Sequence, residues 1–172
     1  GAFLWSFDPV PRNPEDLQAA SWTAESLANT GGGNAWSLLS VDEKRDLVFV
    51  PTSSASPNWF GGTRPGANRY ANSVVALRGS TGKVVWHFQT VHHDVWDWDT
   101  PAQPMLLDIP KDGRRVPAVV ILTKQSLVFV LNRDTGVPLF PVEERPVPTD
   151  GIAGDVLSKT QPFPVKPPPL MK

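Results

Sequence analysis

The sequence predicts an all-β fold made of small repeated antiparallel sheets, and three observations predict it. First, the apolar runs are short and rich in β-branched residues: Leu47 to Val50, Val74 to Leu77, Val84 to Phe88, Val116 to Leu122 and Leu127 to Leu131. Turn-forming Gly, Pro, Asp or Asn residues bound each of them, which is the strand signature. Second, 19 prolines and 13 glycines are spread over 172 residues, a composition that multiplies turns and disfavours long helices. Third, one motif recurs: Ala76 to Trp86 reads A-x-x-x-x-T-G-x-x-x-W, and Val130 to Phe140 repeats it with Phe in place of Trp.

The motif has a physical reading. Thr-Gly closes a tight hairpin, and Gly82 and Gly136 supply the positive φ that such a turn needs. The aromatic four residues later then lies on an outer strand and packs between neighbouring sheets. Gly1 to Trp5 carries the G-x-x-x-W half of the same pattern. Two full repeats follow, one over about residues 34–90 and one over 101–142, each with about four strands, as in a propeller blade. Residues 1–33 hold one orphan outer strand, Phe3 to Phe7, and a connection. Residues 143–172 read as a Pro-rich connection. Trp5, Trp59 and Trp86 are expected to be packing anchors. Helical periodicity is weak; only Pro14 to Leu27 suits one or two helical turns, with Asn13 as N-cap. Two blades do not close a ring, so the chain is expected to be a piece of a larger propeller. Its cut sheet faces would favour self-association.

Composition removes several functions. A net charge of −1 and a pI near 6.3 argue against nucleic acid or an anionic membrane as partner. No apolar run approaches the roughly 20 residues needed to cross a bilayer. The first residues lack the basic start and apolar stretch of a signal peptide. With no cysteine there is neither a disulfide nor a thiolate metal site. A P-x-x-P at Pro164 to Pro167 offers an SH3-type ligand, against which a connecting loop is the simpler reading.

Chemistry concentrates in residues 91–100, between the outer strand of one repeat and the inner strand of the next. Val91-His92-His93-Asp94-Val95-Trp96-Asp97-Trp98-Asp99 holds three carboxylates, two imidazoles and two indoles. Such groups are costly to bury unless paired or used. Three readings stand: a loop network that ties the repeats together, a His/Asp metal site, or a carboxylate general base.

This segment, continued through Thr100-Pro101-Ala102-Gln103-Pro104, resembles the HHDLWDxDxPAQP stretch of the membrane-bound pyrroloquinoline quinone (PQQ) dehydrogenases of the glucose/quinate/shikimate type. The similarity extends to Asn34-Ala35-Trp36, Pro57 to Gly62, Arg69-Tyr70, Thr123-Lys124, Phe129 to Gly136 and Glu144 to Pro148, nearly the whole chain. The resemblance implies an eight-bladed β-propeller with PQQ at its centre. It implies that Asp97 is the general base and that Lys124 lies against the quinone oxygens. It also makes Trp36 the flat floor under the cofactor. A divalent ion, Ca²⁺ or Mg²⁺, would be held by PQQ oxygens, Asp97 and groups elsewhere. Ser54 or Ser56 would take the position that an Asn occupies in related alcohol dehydrogenases. His92, His93, Asp94 and Trp96 belong to the motif without a catalytic role; one His is expected to face the channel and the rest to fix the loop.

The implied activity is oxidation of glucose to its lactone, with ubiquinone as electron acceptor, at the periplasmic face of a Gram-negative inner membrane. A missing N-terminal domain would provide the membrane anchor, and the stretch alone is expected to be inactive. Quinate or shikimate is the alternative substrate. A non-catalytic propeller scaffold is the alternative from another class, and the joint presence of Trp36, Asp97 and Lys124 argues against it.

Overall fold

The computed structural model describes residues 1–13, 15 and 21–171. Its strands are β1 (Ser40–Asp42), β2 (Leu47–Pro51), β3 (Ser73–Arg78), β4 (Val84–Gln89), β5 (Met105–Lys111), β6 (Arg114–Leu122), β7 (Val128–Asn132), β8 (Val142–Pro146) and β9 (Thr160–Pro164). All ladders are antiparallel, in the orders β1-β2-β3-β4, β5-β6-β7 and β8-β9. The first sheet is the expected four-stranded blade. The second has three paired strands; its fourth is reduced to a bridge between Leu131 and Pro138, flanked by bonds from Asn132 N to Val137 O and from Leu139 N to Val130 O. Pro138 has no N–H to extend that ladder.

Period-2 alternation explains why two sheets form one core. Leu47, Phe49, Val74, Ala76 and Trp86 from the first blade meet Val119, Ile121, Leu127, Phe129 and Leu131 from the second. The intervening positions serve the opposite faces. Val50, Val75 and Leu77 pack with Tyr70, Trp5 and Phe7, and Ala118, Val120, Val128 and Val130 with Ile109, Leu139 and Phe140. Burying both faces explains why β2, β3, β6 and β7 read as almost continuous apolar runs. Each large side chain so buried contributes about 2 kcal/mol.

The Thr-Gly hairpins join the blades. Trp86 lays its ring over Gly136 (φ 72°) and donates Nε1–H to Arg133 O at 3.1 Å. Trp5 repeats this on Gly82 (φ 70°), donating to Gly79 O at 2.8 Å. Residues 1–8 form no ladder but carry this anchor. Trp59, expected to be a third anchor, is instead 67 % exposed; it lies in the 57–63 loop and not on an outer strand facing a hairpin glycine. An ion pair also crosses between blades: Arg133 Nη1 to Asp42 Oδ2 at 2.8 Å, both side chains nearly buried. Burial alone would raise the Asp42 carboxyl, but Arg133 and then Arg45 outweigh it and hold it below the ordinary range.

Two further elements are seen. The helix is α1, Ala24–Asn29, capped by a reciprocal box in which Ser26 N–H meets Thr23 Oγ1 and Thr23 N–H meets Ser26 Oγ. The start anticipated at Asn13-Pro14 falls largely on residues 14 and 16–20, outside the described residues. The Pro-rich stretch after residue 142 contains a two-stranded ribbon, in which Val142 faces Pro164 and Pro146 faces Thr160. Proline is admissible there because each strand of a lone pair keeps one free edge.

Gly136→Ala would put a Cβ 2.6 Å from the Trp86 ring at a left-handed φ, and is expected to lower stability by about 1–3 kcal/mol in urea unfolding. The depressed Asp42 carboxyl contributes stability that is complete above its unfolded pKa, roughly 4, and is lost as the pH falls through its lower folded value. Asp42→Asn should therefore flatten the fall of stability below about pH 4 in an acid unfolding series.

Candidate active site

The loop between β4 and β5 is shaped by Asp94, which is 1 % exposed. Its Oδ1 accepts from Trp96 N (3.0 Å), and its Oδ2 from Trp98 N (2.7 Å), Asn72 Nδ2 (2.9 Å) and the Ser54 hydroxyl. Asp and Asn side chains that bond backbone N–H groups two to four residues ahead impose a tight turn. Arg64, fully buried, donates to Asp94 O, Asn68 Oδ1 and Pro57 O. Its burial lowers its pKa while Asp94 and Asp155 oppose the shift; a guanidinium stays charged regardless.

The turn puts Asp97 at φ 57°, a left-handed conformation that Asp tolerates better than most residues. There its carboxylate is about one-third exposed, and Oδ1 accepts from Asn58 Nδ2 at 2.8 Å. Lys124, from the turn between β6 and β7, reaches across. Its Nζ lies 2.6 Å from Asp97 O, 3.0 Å from Asp99 Oδ2 and 3.4 Å from Asp97 Oδ2. Partial burial pulls the Lys124 ammonium downward, but Asp99 and then Asp97 more than compensate and raise it above the ordinary lysine range. Asp99 is anchored in turn, its Oδ1 accepting from Ser54 N at 2.8 Å.

Of the residues expected at the site, Asp97 and Lys124 are in direct contact. Trp36 stands on the strand-free approach to β1 with its indole 57 % exposed. Its neighbours are pinned, Asn34 to Ser53 and Ser37 to Pro101 O, but no hydrogen bond or ring contact among the described residues joins Trp36 to Asp97 or Lys124. Ser54 is buried, its hydroxyl donating to Asp94 and accepting from Asn72 Nδ2 at 3.1 Å. Ser56 is less buried, with its N–H bonded to Gly31 O at 2.9 Å. Among the described residues no group of three or more His, Cys, Asp or Glu side chains is arranged to hold a metal ion.

Neither histidine joins the Asp97–Lys124 cluster. The His92 ring bridges Gln89 Oε1 (2.8 Å) and Glu144 Oε1 (3.0 Å), while the Gln161 amide clasps the His92 backbone N–H and C=O, each at 2.8 Å. Burial raises the Glu144 carboxyl, but His92 and Thr160 leave it below the ordinary range. His93 is buried between Gly66 O and Asp155 Oδ1. Both rings fasten the loop to the segment carrying β8 and β9. Trp96 and Trp98 stack with centroids 4.9 Å apart and wall an apolar cleft with Leu127, Pro162 and Phe163.

Sequence reasoning passed over Asn58, Arg64, Asn72 and Asp99. Asp99 alone carried a local signal, a second carboxylate two residues beyond Asp97. The others meet the loop through contacts 22–39 residues apart that no spacing announces.

Asp97 and Lys124 set an anchored carboxylate beside an ammonium, both partly exposed, and Trp36 offers an exposed indole on the approach to β1. That suits an acidic, planar, carbonyl-bearing cofactor: the indole offers stacking area and the ammonium neutralises charge. The oxygen donors at hand are too few to complete a Ca²⁺ or Mg²⁺ shell.

The family described as "PQQ: Glucose/ethanol/alcohol dehydrogenase, beta-propeller domain" matches residues 1–172. Quinoprotein glucose dehydrogenase A of Acinetobacter calcoaceticus is 45 % identical over 170 residues, covering 95 % of this chain and 21 % of that protein. Quinate/shikimate dehydrogenase (quinone) of Acinetobacter baylyi is 42 % identical over 172 residues, covering 99 % of this chain and 21 % of that protein. A solved europium-containing methanol dehydrogenase superposes with a TM-score of 0.64 at 27 % identity, covering 84 % of this chain and 25 % of that one. The chain therefore spans about a fifth of the length of the curated relatives it matches.

Asp94→Asn would turn an amide N–H₂ toward donors that now meet a carboxylate. It is expected to cost about 1.5–3 kcal/mol of stability, read by denaturant titration, and to broaden the amide resonances of Trp96 and Trp98.

Proposed function

This chain belongs to the PQQ-dependent glucose/ethanol/alcohol dehydrogenase β-propeller family, and we propose that the protein carrying it oxidises a sugar or cyclic polyol. The observation that carries the reading is the Asp97–Lys124 pair, a base and a cation in contact on an accessible side of the fold. Bound PQQ would supply a hydride acceptor for the carbon being oxidised. Asp97 takes the proton of the substrate hydroxyl, with Asn58 keeping its carboxylate in place. Lys124 stabilises negative charge that develops on neighbouring oxygens. Trp36 offers its exposed face as the stacking floor.

A divalent ion, Ca²⁺ or Mg²⁺, is proposed beside Asp97, with most of its ligands outside this chain. Ser56 is the better of the two hydroxyl candidates, because the Ser54 hydroxyl is already engaged with Asp94 and Asn72. The europium named for the methanol dehydrogenase supports a metal at this kind of site. Glucose is the proposed substrate, oxidised to its lactone, and quinate or shikimate is the second reading; relatives named for each are about equally similar. Ubiquinone is the proposed acceptor, supported by the quinone in one relative's name, with the reaction at the periplasmic face of a Gram-negative inner membrane.

The test is dye-coupled oxidation by the full-length protein reconstituted with PQQ and either Ca²⁺ or Mg²⁺, glucose and quinate being offered in parallel. PQQ-dependent dye reduction with glucose is expected, and Asp97→Asn should lower it by about 10²-fold or more with an unchanged melting temperature. Reduction with quinate alone would move the substrate and keep the chemistry. A folded protein that binds no PQQ and oxidises neither would overturn the reading.

A further inference from the structure

We infer that Asp99 is a positioning residue: it tethers Lys124 so that one ammonium N–H can turn from Asp97 toward a bound cofactor oxygen. The inference rests on the PQQ reading above and adds a residue to it.

An ammonium has three N–H donors, and Lys124 has three oxygen neighbours at unequal distances: Asp97 O at 2.6 Å, Asp99 Oδ2 at 3.0 Å and Asp97 Oδ2 at 3.4 Å. The longest contact is the one given up at least cost. Releasing it leaves Lys124 held by two oxygens and leaves Asp97 Oδ2 free to accept a proton. Asp97 Oδ1 is meanwhile still fixed by Asn58. A lysine stem is long and flexible, so the tether needs a rigid foot. Asp99 has one: its side chain is 10 % exposed, and its other oxygen is pinned by the Ser54 N–H at 2.8 Å. Ser54 is itself bonded to the Asp94 carboxylate. The tether and the turn that presents Asp97 therefore share one support. Without Asp99, the Asp97 side chain is the one carboxylate left on Lys124, and the cation that should meet the cofactor competes for the base.

Asp99→Asn separates the two contacts of this carboxylate. Its amide oxygen can still accept the Ser54 N–H, whereas its N–H₂ faces Lys124 and cannot hold an ammonium. PQQ affinity, read by quenching of tryptophan fluorescence in the full-length apoprotein, reports the tether without reference to turnover. Asp99→Asn is expected to raise the Kd about tenfold or more, and Lys124→Met to raise it by a similar factor. The double variant should bind no worse than Lys124→Met alone, because Asp99 acts through Lys124. Affinities are compared only among variants whose circular dichroism matches the wild type; if Asp99→Asn does not fold, Asp99→Ser, which also removes the carboxylate, takes its place in both comparisons and is expected to raise the Kd likewise. Wild-type affinity in Asp99→Asn would overturn the inference. So would a further large loss when Asp99→Asn is added to Lys124→Met. A wild-type protein that binds no PQQ would instead remove the functional reading on which the inference rests.

Discussion

Four donors converge on the two oxygens of Asp94, and the site depends on that convergence. The Trp96 and Trp98 amides set the turn, the Asn72 amide and the Ser54 hydroxyl tie it to the ends of β3 and β2, and Arg64 secures the backbone carbonyl from below. A carboxylate with several N–H donors is a strong and directional anchor, more so in a site closed to water. Asp97 is presented by this turn in a left-handed backbone conformation. Asp97 is therefore held in place because the neighbouring Asp94 carboxylate is saturated with hydrogen bonds.

The blades supply the frame in which this happens. β4 belongs to the first sheet and β5 to the second, so the loop between them bridges two bodies whose relative position must be fixed. Interdigitated apolar faces do most of this. Trp86 on Gly136 and Arg133 on Asp42 set the register at the hairpin end, while Ser37 and Ser40 bond the Pro101 and Pro104 carbonyls at the other. Three carboxylates crowd into six residues, yet each has a different neighbourhood. Asp94 is consumed by hydrogen bonds, Asp99 is divided between a backbone amide and Lys124, and Asp97 alone keeps substantial exposure. That division leaves Asp97 the most accessible carboxylate of the three.

The sequence made the strands legible because both faces of β2, β3, β6 and β7 are buried, which writes a long apolar run between turn residues. Gly82 and Gly136 were legible for a steric reason: only glycine accepts both a left-handed turn and an indole at contact distance. The β8–β9 ribbon was hidden because prolines that argue against a strand are harmless at a free edge. Trp59 misled because an aromatic alone does not say whether a hairpin glycine waits opposite. At the site, the motif named Asp97, and the partners that fix it were invisible. Arg64 sits in a Gly- and Pro-rich loop that looks solvated, yet it is fully buried and meets neutral oxygens, leaving no pairing for charge patterning to reveal.

The central claim is that Trp36, Asp97 and Lys124 form one wall of a single cofactor site. A crystal structure of the full-length protein grown with PQQ tests it most directly. The account predicts PQQ stacked on the exposed face of Trp36, with Lys124 Nζ within hydrogen-bond distance of its oxygens and the Asp97 carboxylate facing the reacting carbonyl. PQQ seated elsewhere, or Asp97 and Lys124 turned away from it, would contradict the account.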